Sequence, residues 1–182
     1  MSQGTWSAFK FPCSKRYYFT HPWKWFKDAH NNIRDAYRRA RYGWTYADAW
    51  NWDTWFLEVA PPMLRHIADH GSAYPGYPPF DGEHGPERWH DWLHEVADLL
   101  ETGTEDWQDA HNEYHDEYME HIMEDWQEVY TDENGYIHHK VTKRSEISNK
   151  YFERSAELYE QGEKNVRNAL SMIAEHFHAI WD

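Results

Sequence analysis

The sequence has a single cysteine, no long apolar run and no recognisable signature of catalysis, and each absence narrows the possible functions. Cys13 has no partner within the chain, so an internal disulfide and a thiolate metal cluster are excluded and a reducing compartment suits the protein. No stretch approaches the roughly 20 apolar residues that span a bilayer, and the first residues do not resemble a signal peptide. We therefore expect a cytoplasmic protein without a membrane partner.

Motifs for common enzyme classes are missing as well. The chain contains no Gly-rich phosphate loop, no nucleophile elbow and no nucleic-acid-binding motif. We therefore predict no catalytic residue, no cofactor and no metal ligand.

Aromatic residues are present in excess: twelve Trp, thirteen Tyr and eight Phe among 182 residues. Rings must therefore form much of the core, and those left at the surface can stack on ligands. The charge is distributed unevenly, because residues 1–46 hold nine Lys and Arg against two acidic residues, a net +7. Since the whole chain carries -14, the other residues carry -21. An acidic body disfavours duplex nucleic acid, but a local basic patch can hold a small phosphorylated ligand. The simpler alternative is that the basic part packs on the acidic remainder.

Helical periodicity predicts one all-α domain over residues 1–182, a bundle-like fold of about five helices. An arm, 1–19, precedes the helices, and a Gly- and Pro-rich loop occupies 71–86. Pro61 and Pro62 should kink or break the second helix, and 136–143 suits a short extended piece. Gly162 should permit close helix approach. The predicted helices span 20–43, 45–70, 86–100, 105–130 and 145–181.

A candidate ligand site lies in the basic part. Arg34, Arg38 and Arg41 share one stripe of the first helix, and guanidinium groups beside aromatic rings suit a phosphate and a base. Salt bridges to the acidic helices are the structural alternative. Asp53, next to Trp50 on an apolar stripe, should need a polar partner, because an unpaired buried carboxylate is costly. That partner can be structural or can be a ligand.

Three histidine pairs have the i, i+4 spacing that suits a shared metal ion: His66/His70, His90/His94 and His111/His115. Fourteen histidines in a helical chain produce such pairs by chance. Of these six histidines only His90 ends a Glu-x-x-His motif, Glu87-x-x-His90, whereas a di-iron bundle needs two. The pairs therefore do not justify predicting a metal site.

An acidic stripe is predicted on the fourth helix. Facing glutamates on the last helix suggest a magnesium site of the kind used by all-helical nucleotide pyrophosphatases, although a solvated charged face is the favoured interpretation. The two sets are Glu113, Glu117, Glu120 and Glu124, and Glu153, Glu157 and Glu160.

Two stretches of the chain, 42–76 and 158–182, carry a set of recognisable motifs. They are Tyr42-Gly43-Trp44, the W-x-x-D of Trp50 to Asp53, Glu58, Pro61, Leu64, the H-G-x-x-Y-P of His70 to Pro75, Gly76, Tyr159-Glu160-x-Gly162, Phe177, and Ile180 before the final Trp181-Asp182. These motifs resemble a family of small, all-helical, uncharacterised tailed-phage or prophage proteins. The resemblance covers about half of the chain, and the histidine-rich acidic middle departs from it.

This resemblance implies an all-helical fold and a location in the cytoplasm of an infected bacterial cell, but it implies no activity. By analogy with accessory phage proteins that act against host defences, we predict a non-catalytic protein that sequesters a small nucleotide-like ligand. His70 and Tyr74 complete the predicted ligand-binding set, because the loop after His70 can close over a pocket. The alternatives are an acidic module, using residues 105–133, that binds a host defence protein, and a metal-dependent phosphohydrolase. We expect a homo-oligomer.

Overall fold

The computed structural model describes residues 19–122, 126–131, 137–141 and 144–180, the two short central ranges as backbone only. These residues form an all-α fold with one small β-hairpin. Its helices are α1 (Pro22–Tyr42), α2 (Tyr46–Trp50), α3 (Trp52–His70), α4 (Gly85–Glu101), α5 (Glu105–Ala110), α6 (His115–His121) and α7 (Glu146–His176), with a 3-10 turn at Phe177–Ala179, and its strands are β1 (Trp126–Thr131) and β2 (Ile137–Val141).

The chain divides into two compact units, residues 1–55 and residues 56–182. In the described part of the chain, no helix is both long and apolar enough to cross a membrane. The predicted arm lies outside the described residues except for Phe19, and the prediction of a single domain stays a prediction.

The helix boundaries follow local sequence signals. Pro22 occupies the first turn of α1, and Gly43 ends this helix in a left-handed conformation (φ 79°), where its N–H donates to the carbonyl of Arg39. Thr45 and Asp48 form a reciprocal capping box at the start of α2. The predicted boundaries of α1 and of the α2 start are thus confirmed by their caps.

The prediction of one helix over 45–70 was wrong, because the helix breaks at Asn51, which separates α2 from α3. In contrast, α3 continues through Pro61 and Pro62, so the two prolines do not break it. A kink at these prolines, the other predicted outcome, stays a prediction. A proline has no N–H to donate and so removes a helix hydrogen bond, but the surrounding structure can tolerate this loss. Pro61 is fully buried, and its packing offsets part of that cost.

The prediction of a single helix over 105–130 was also wrong, because three separate elements, α5, α6 and β1, occupy this range. Asn112 interrupts it with its side chain: Nδ2 donates to the carbonyl of Tyr151 and to Ser155 Oγ, and Oδ1 accepts from the N–H of Tyr114. These bonds compete with helical ones, which is why Asn favours turns over helix interiors. The end of the predicted helix is instead β1, a segment rich in residues that favour strands.

Strand β1 pairs antiparallel with β2, from Trp126 opposite Val141 to Thr131 opposite Ile137. The register shifts between Glu128 and Tyr130, which is the position of a bulge. The predicted extended piece over 136–143 is therefore confirmed where the structure describes it. The last helix ends at His176 rather than near residue 181 and gives way to the 3-10 turn.

The core of residues 56–180 is built on α4 and α7. Leu93, Val96 and Leu100 on α4 are fully buried, as is Ala169 on α7. Aromatic rings extend this core beneath the 71–86 loop. Phe80 meets Trp89 edge-on at a centroid distance of 4.9 Å, and Trp89 stacks on Trp92 at 4.8 Å. These contacts anchor the long loop on α4.

Gly162 lies where α7 approaches the end of α4. A Cβ atom added there would stand 2.5 Å from the carbonyl oxygen of Thr102, closer than atoms can pack. The absence of a side chain thus permits the close approach that the sequence predicted.

We predict that Gly162→Ala destabilises the protein by about 1–3 kcal/mol, because the new methyl group overpacks the contact with Thr102. On an open helix surface the same change would stabilise by about 0.5–1 kcal/mol, so the sign of the effect is diagnostic. Urea unfolding followed by circular dichroism measures it. Gln161→Ala, at an exposed neighbouring position, is the control. A Gly162→Ala protein that is more stable than wild type contradicts the close contact.

Candidate ligand-binding site

Arg38 lies among three rings in the first unit. Its guanidinium carbon is 3.8 Å from the ring centroid of Tyr46, 5.3 Å from that of Trp44 and 5.6 Å from that of Tyr42. All three distances fall within the range of cation–π attraction. We call Arg38, Tyr42, Trp44 and Tyr46 the Arg38 ring cluster.

The connection from α1 to α2 builds this cluster. Gly43 turns the chain sharply after Tyr42, and Thr45 caps α2 three residues before Asp48. Asp48 in turn receives hydrogen bonds from Arg39, with an Nη2–Oδ1 distance of 2.7 Å. This ion pair fastens the end of α1 to α2, and neighbouring Arg38 is thereby held against the rings.

The charge of Asp48 is stabilised in the folded state. Partial burial acts to raise the pKa of this carboxyl, but hydrogen bonds from Arg39 and Thr45 outweigh burial and lower the pKa overall. The carboxylate is nearly buried, so solvent screens the pair with Arg39 only weakly.

Hydrogen-bond donors of Arg38 remain available. Its Nε is buried without a hydrogen-bond partner, so this atom is closed to a ligand from solvent. The residue as a whole is only partly buried, and no carboxylate among the described residues pairs with it, so the Nη groups can donate to an anion. Arg38 therefore combines a ring-stacked, restrained position with donors that a phosphate or carboxylate can use.

Nearby carboxylates do not neutralise all of the positive charge. The described ion pairs of this unit join Lys24 to Asp28, Arg34 to Asp35 and Arg39 to Asp48. Within the described residues, Arg38 and Arg41 have no carboxylate partner, and the Arg41 guanidinium carbon lies 5.3 Å from the Tyr42 ring centroid. The predicted arginine stripe thus retains an excess of positive charge around Arg38.

Two other predicted residues of this unit stand apart from the cluster. Trp50, at the end of α2, is 88 % exposed and makes no described ring contact. Asp53 is exposed in the first turn of α3, where the helix dipole favours a carboxylate. The expectation that Asp53 is buried and needs a partner was therefore wrong, because its position in the first turn of α3 leaves the carboxylate exposed to solvent.

The remaining predicted residues, His70 and Tyr74, belong to the second unit. The ring of His70 stacks on His66 at 4.5 Å, and its Nδ1 lies 3.2 Å from the His66 carbonyl. Tyr74 lines a groove of about 400 Å³ between the 71–86 loop and the end of α7. The prediction that His70 and Tyr74 form one ligand pocket with the arginines of the first unit stays a prediction.

The residues of the predicted acidic stripe do not share one helix. Glu113 lies in the turn between α5 and α6, and Glu117 and Glu120 lie on α6. Arg154 joins Glu113 and Glu157 at N–O distances of 3.1 and 2.9 Å, so part of the charge is paired. Glu124 lies outside the described residues. Where the structure describes this surface, it favours the solvated and partly paired interpretation over a magnesium site.

Comparison with protein-family models, with curated proteins and with solved structures gives no match. The resemblance to a phage family therefore stays a prediction. The function has to be inferred from the geometry of the residues themselves.

We predict that the Asp48 ion pair makes the first unit sensitive to acid. Since the folded pKa of Asp48 is lowered, its stabilisation is present above the unfolded pKa of about 4 and is lost as the pH falls below it. Asp48→Asn should lower stability by about 1–2 kcal/mol at pH 7, with a difference that shrinks below pH 4. Thermal unfolding and amide hydrogen exchange in α1 and α2, from pH 7 to pH 3, measure this.

The control is Asp35→Asn, because Asp35 belongs to an exposed pair with Arg34. This variant should behave nearly as wild type at every pH. A destabilisation of Asp48→Asn that is independent of pH would contradict an electrostatic role for the Asp48 carboxylate.

Proposed function

We propose that the chain binds and sequesters a small nucleotide-like ligand, without catalysis, at the Arg38 ring cluster. The observation that carries the proposal is the Arg38 guanidinium, which stacks on Tyr46 while no described residue accepts its hydrogen bonds. A stacked guanidinium can still donate in its own plane, which suits the oxygens of a phosphate.

Charge and ring exposure both support a phosphorylated aromatic ligand. Arg34 and Arg41 lie one turn on either side of Arg38, so a second phosphate oxygen can reach another guanidinium. Tyr46 is 64 % exposed, which leaves ring surface for a base to stack on. Adenine or guanine nucleotides have both required features: a flat aromatic base and a multiply charged phosphate group.

The biological role that we propose follows the resemblance of the sequence to phage proteins. Sequestration of a nucleotide signal would weaken a host defence without any chemical step, so a protein lacking catalytic motifs is sufficient. The proposed location is the cytoplasm of an infected bacterial cell.

We predict that Arg38→Ala weakens the binding of ADP at least about tenfold, because charge-assisted hydrogen bonds contribute about 1.5–3 kcal/mol. Arg38→Lys should be intermediate, since it keeps the charge but loses the planar group. Calorimetric titration with ADP, and with inorganic pyrophosphate to isolate the contribution of the base, measures both effects. Arg167→Ala removes an exposed arginine paired with Glu163 on α7 and is the matched control.

Two results would refute this function. One is ADP affinity that Arg38→Ala leaves unchanged. The other is wild-type protein that binds neither ADP nor any nucleotide from a bacterial extract, as judged by native mass spectrometry.

A second candidate is protein binding through α1. The apolar side of this helix carries Trp23, Phe26, Ile33 and Tyr37, each 65 % exposed. Helix residues at these spacings ordinarily pack against a partner, and an exposed aromatic stripe is typical of an interaction surface. Basic residues on the same helix suit a partner whose apolar groove has an acidic rim. This candidate uses a different surface from the acidic module that the sequence suggested.

We predict that the double variant Phe26→Ser and Tyr37→Ser loses a bacterial protein that the wild type captures from lysate. Direct calorimetry with that purified partner should then give at least about a tenfold loss, as expected for two aromatic contacts. Tyr159→Ser, which alters an exposed ring on α7, is the control. Identical sets of captured proteins for all three chains would exclude the α1 surface.

A further inference from the structure

Three potential metal ligands from two helices converge in the second unit. Asp69 lies in the last turn of α3, and His90 and His94 lie one turn apart on α4. Asp69 Oδ1 is 3.0 Å from His94 Nε2 and 3.5 Å from His90 Nε2. One ligand atom from each of the three residues lies within 4.8 Å of the others.

We propose that Asp69, His90 and His94 bind one divalent transition-metal ion of the zinc class. This inference is independent of the proposed nucleotide site, since it concerns other residues in the other unit.

The distances suit an ion held by the three groups. Metal bonds of about 2.0–2.2 Å place neighbouring ligand atoms about 2.9–3.0 Å apart in octahedral geometry and about 3.3–3.5 Å apart in tetrahedral geometry. The distance from Asp69 Oδ1 to His94 Nε2 falls in the octahedral range and that to His90 Nε2 in the tetrahedral range, and the ligand atoms of the two histidines lie within 4.8 Å of each other. A hydrogen bond explains the contact with His94, but the 3.5 Å contact with His90 is too long for a good one.

The ring nitrogen of His90 that faces away from Asp69, Nδ1, contacts a carboxylate, as is common for histidines that bind metal ions. Its Nδ1 lies 3.2 Å from Asp91 Oδ1, so Nδ1–H can donate to that carboxylate and Nε2 keeps its lone pair toward Asp69. A carboxylate behind a ligating imidazole fixes the ring orientation and raises its basicity. The His90-Asp91 dipeptide therefore contributes both a ligand and its support.

The adjacent contacts between α3 and α4 keep the three groups together. One turn before Asp69, Arg65 donates to Asp98 at 2.6 Å and also to Glu101. The hydrogen bonds that Arg65 donates to Glu101 and Asp98 raise its pKa, so this bridge persists at any physiological pH. Leu64 fixes the inner side of α3 in the same core as α4. Ligands on two packed helices are restrained before an ion arrives, which favours binding.

Charge and exposure also suit a cation. The carboxylate of Asp69 places its Oδ1 against a ring nitrogen of each histidine. All three side chains are between 31 % and 49 % exposed, so an ion can enter from solvent. Two nitrogens and one oxygen leave at least one coordination position for water or another ligand, as in open zinc sites.

We predict that the chelator-treated chain binds one Zn²⁺ more tightly than its background of surface histidines does. His94→Ala and Asp69→Asn should each weaken this site at least about 100-fold, and Asp91→Ala about 10–100-fold, since it removes only the support of His90. Calorimetry with Zn²⁺ alone measures affinity and stoichiometry. The visible absorption of bound Co²⁺ reports whether nitrogen ligands are lost.

The matched control removes another i, i+4 pair, His111→Ala with His115→Ala. In this pair His111 Nδ1 contacts its own helix carbonyl at Trp107 and His115 Nδ1 lies 3.3 Å from Asp109, so the two do not share one carboxylate oxygen. The control should keep the tight site, as should Arg38→Ala. Circular dichroism verifies that each variant is folded, and Asp69→Asn preserves side-chain shape. The proposal is overturned if the wild type has no tight stoichiometric site, or if the control loses the site as fully as His94→Ala.

Discussion

The close packing of α4 on α7 is the constraint on which the rest of the second unit depends. Four residues of α4, Leu93, Val96, Ala97 and Leu100, are completely buried, and Gly162 lets the α7 backbone approach the end of that helix. With one side of α4 committed to this contact, α3 packs beside it through Leu64, a residue of the same hydrophobic core. The polar side chains of α3 and α4 are then left along the outer edge of their interface. The site of Asp69, His90 and His94 is a consequence of this arrangement.

The charge asymmetry of the sequence acquires a specific meaning in the structure. In the first unit, several Lys and Arg side chains form ion pairs with nearby carboxylates, and the Arg39–Asp48 pair fixes the turn between α1 and α2. Arg38 is left with aromatic neighbours instead of an acid among the described residues. A cation stacked on rings remains charged and keeps in-plane donors, whereas an ion pair uses its donors. Pairing of some cations therefore isolates the one that is best suited to bind an anion.

The sequence predicted what depends on local signals and missed what depends on tertiary contacts. The all-α class, the boundaries of α1 and α4, and the long loop follow from caps, glycines, prolines and periodicity. The break at Asn112 depends on acceptors in α7, about 40 residues away, so periodicity alone continued the helix. The sequence also could not predict that the aromatic stripe on α1 is exposed, because the spacing of apolar residues is the same whether a partner covers them or not.

The candidate metal site illustrates the same limit. Three histidine pairs share one spacing, and spacing alone cannot distinguish them. In the described structure, His66/His70 stack on each other and His111 bonds to its own helix, whereas His90/His94 converge on a carboxylate from a neighbouring helix. The sequence contains a signal for this difference: Arg65 and Asp69 are four apart on α3, as are His94 and Asp98 on α4, which is the pattern of polar contacts between antiparallel helices. A histidine pair becomes a candidate metal site only when the fold supplies a third ligand. Which helix packs beside the pair therefore decides the outcome, and the spacing of the two histidines does not show this.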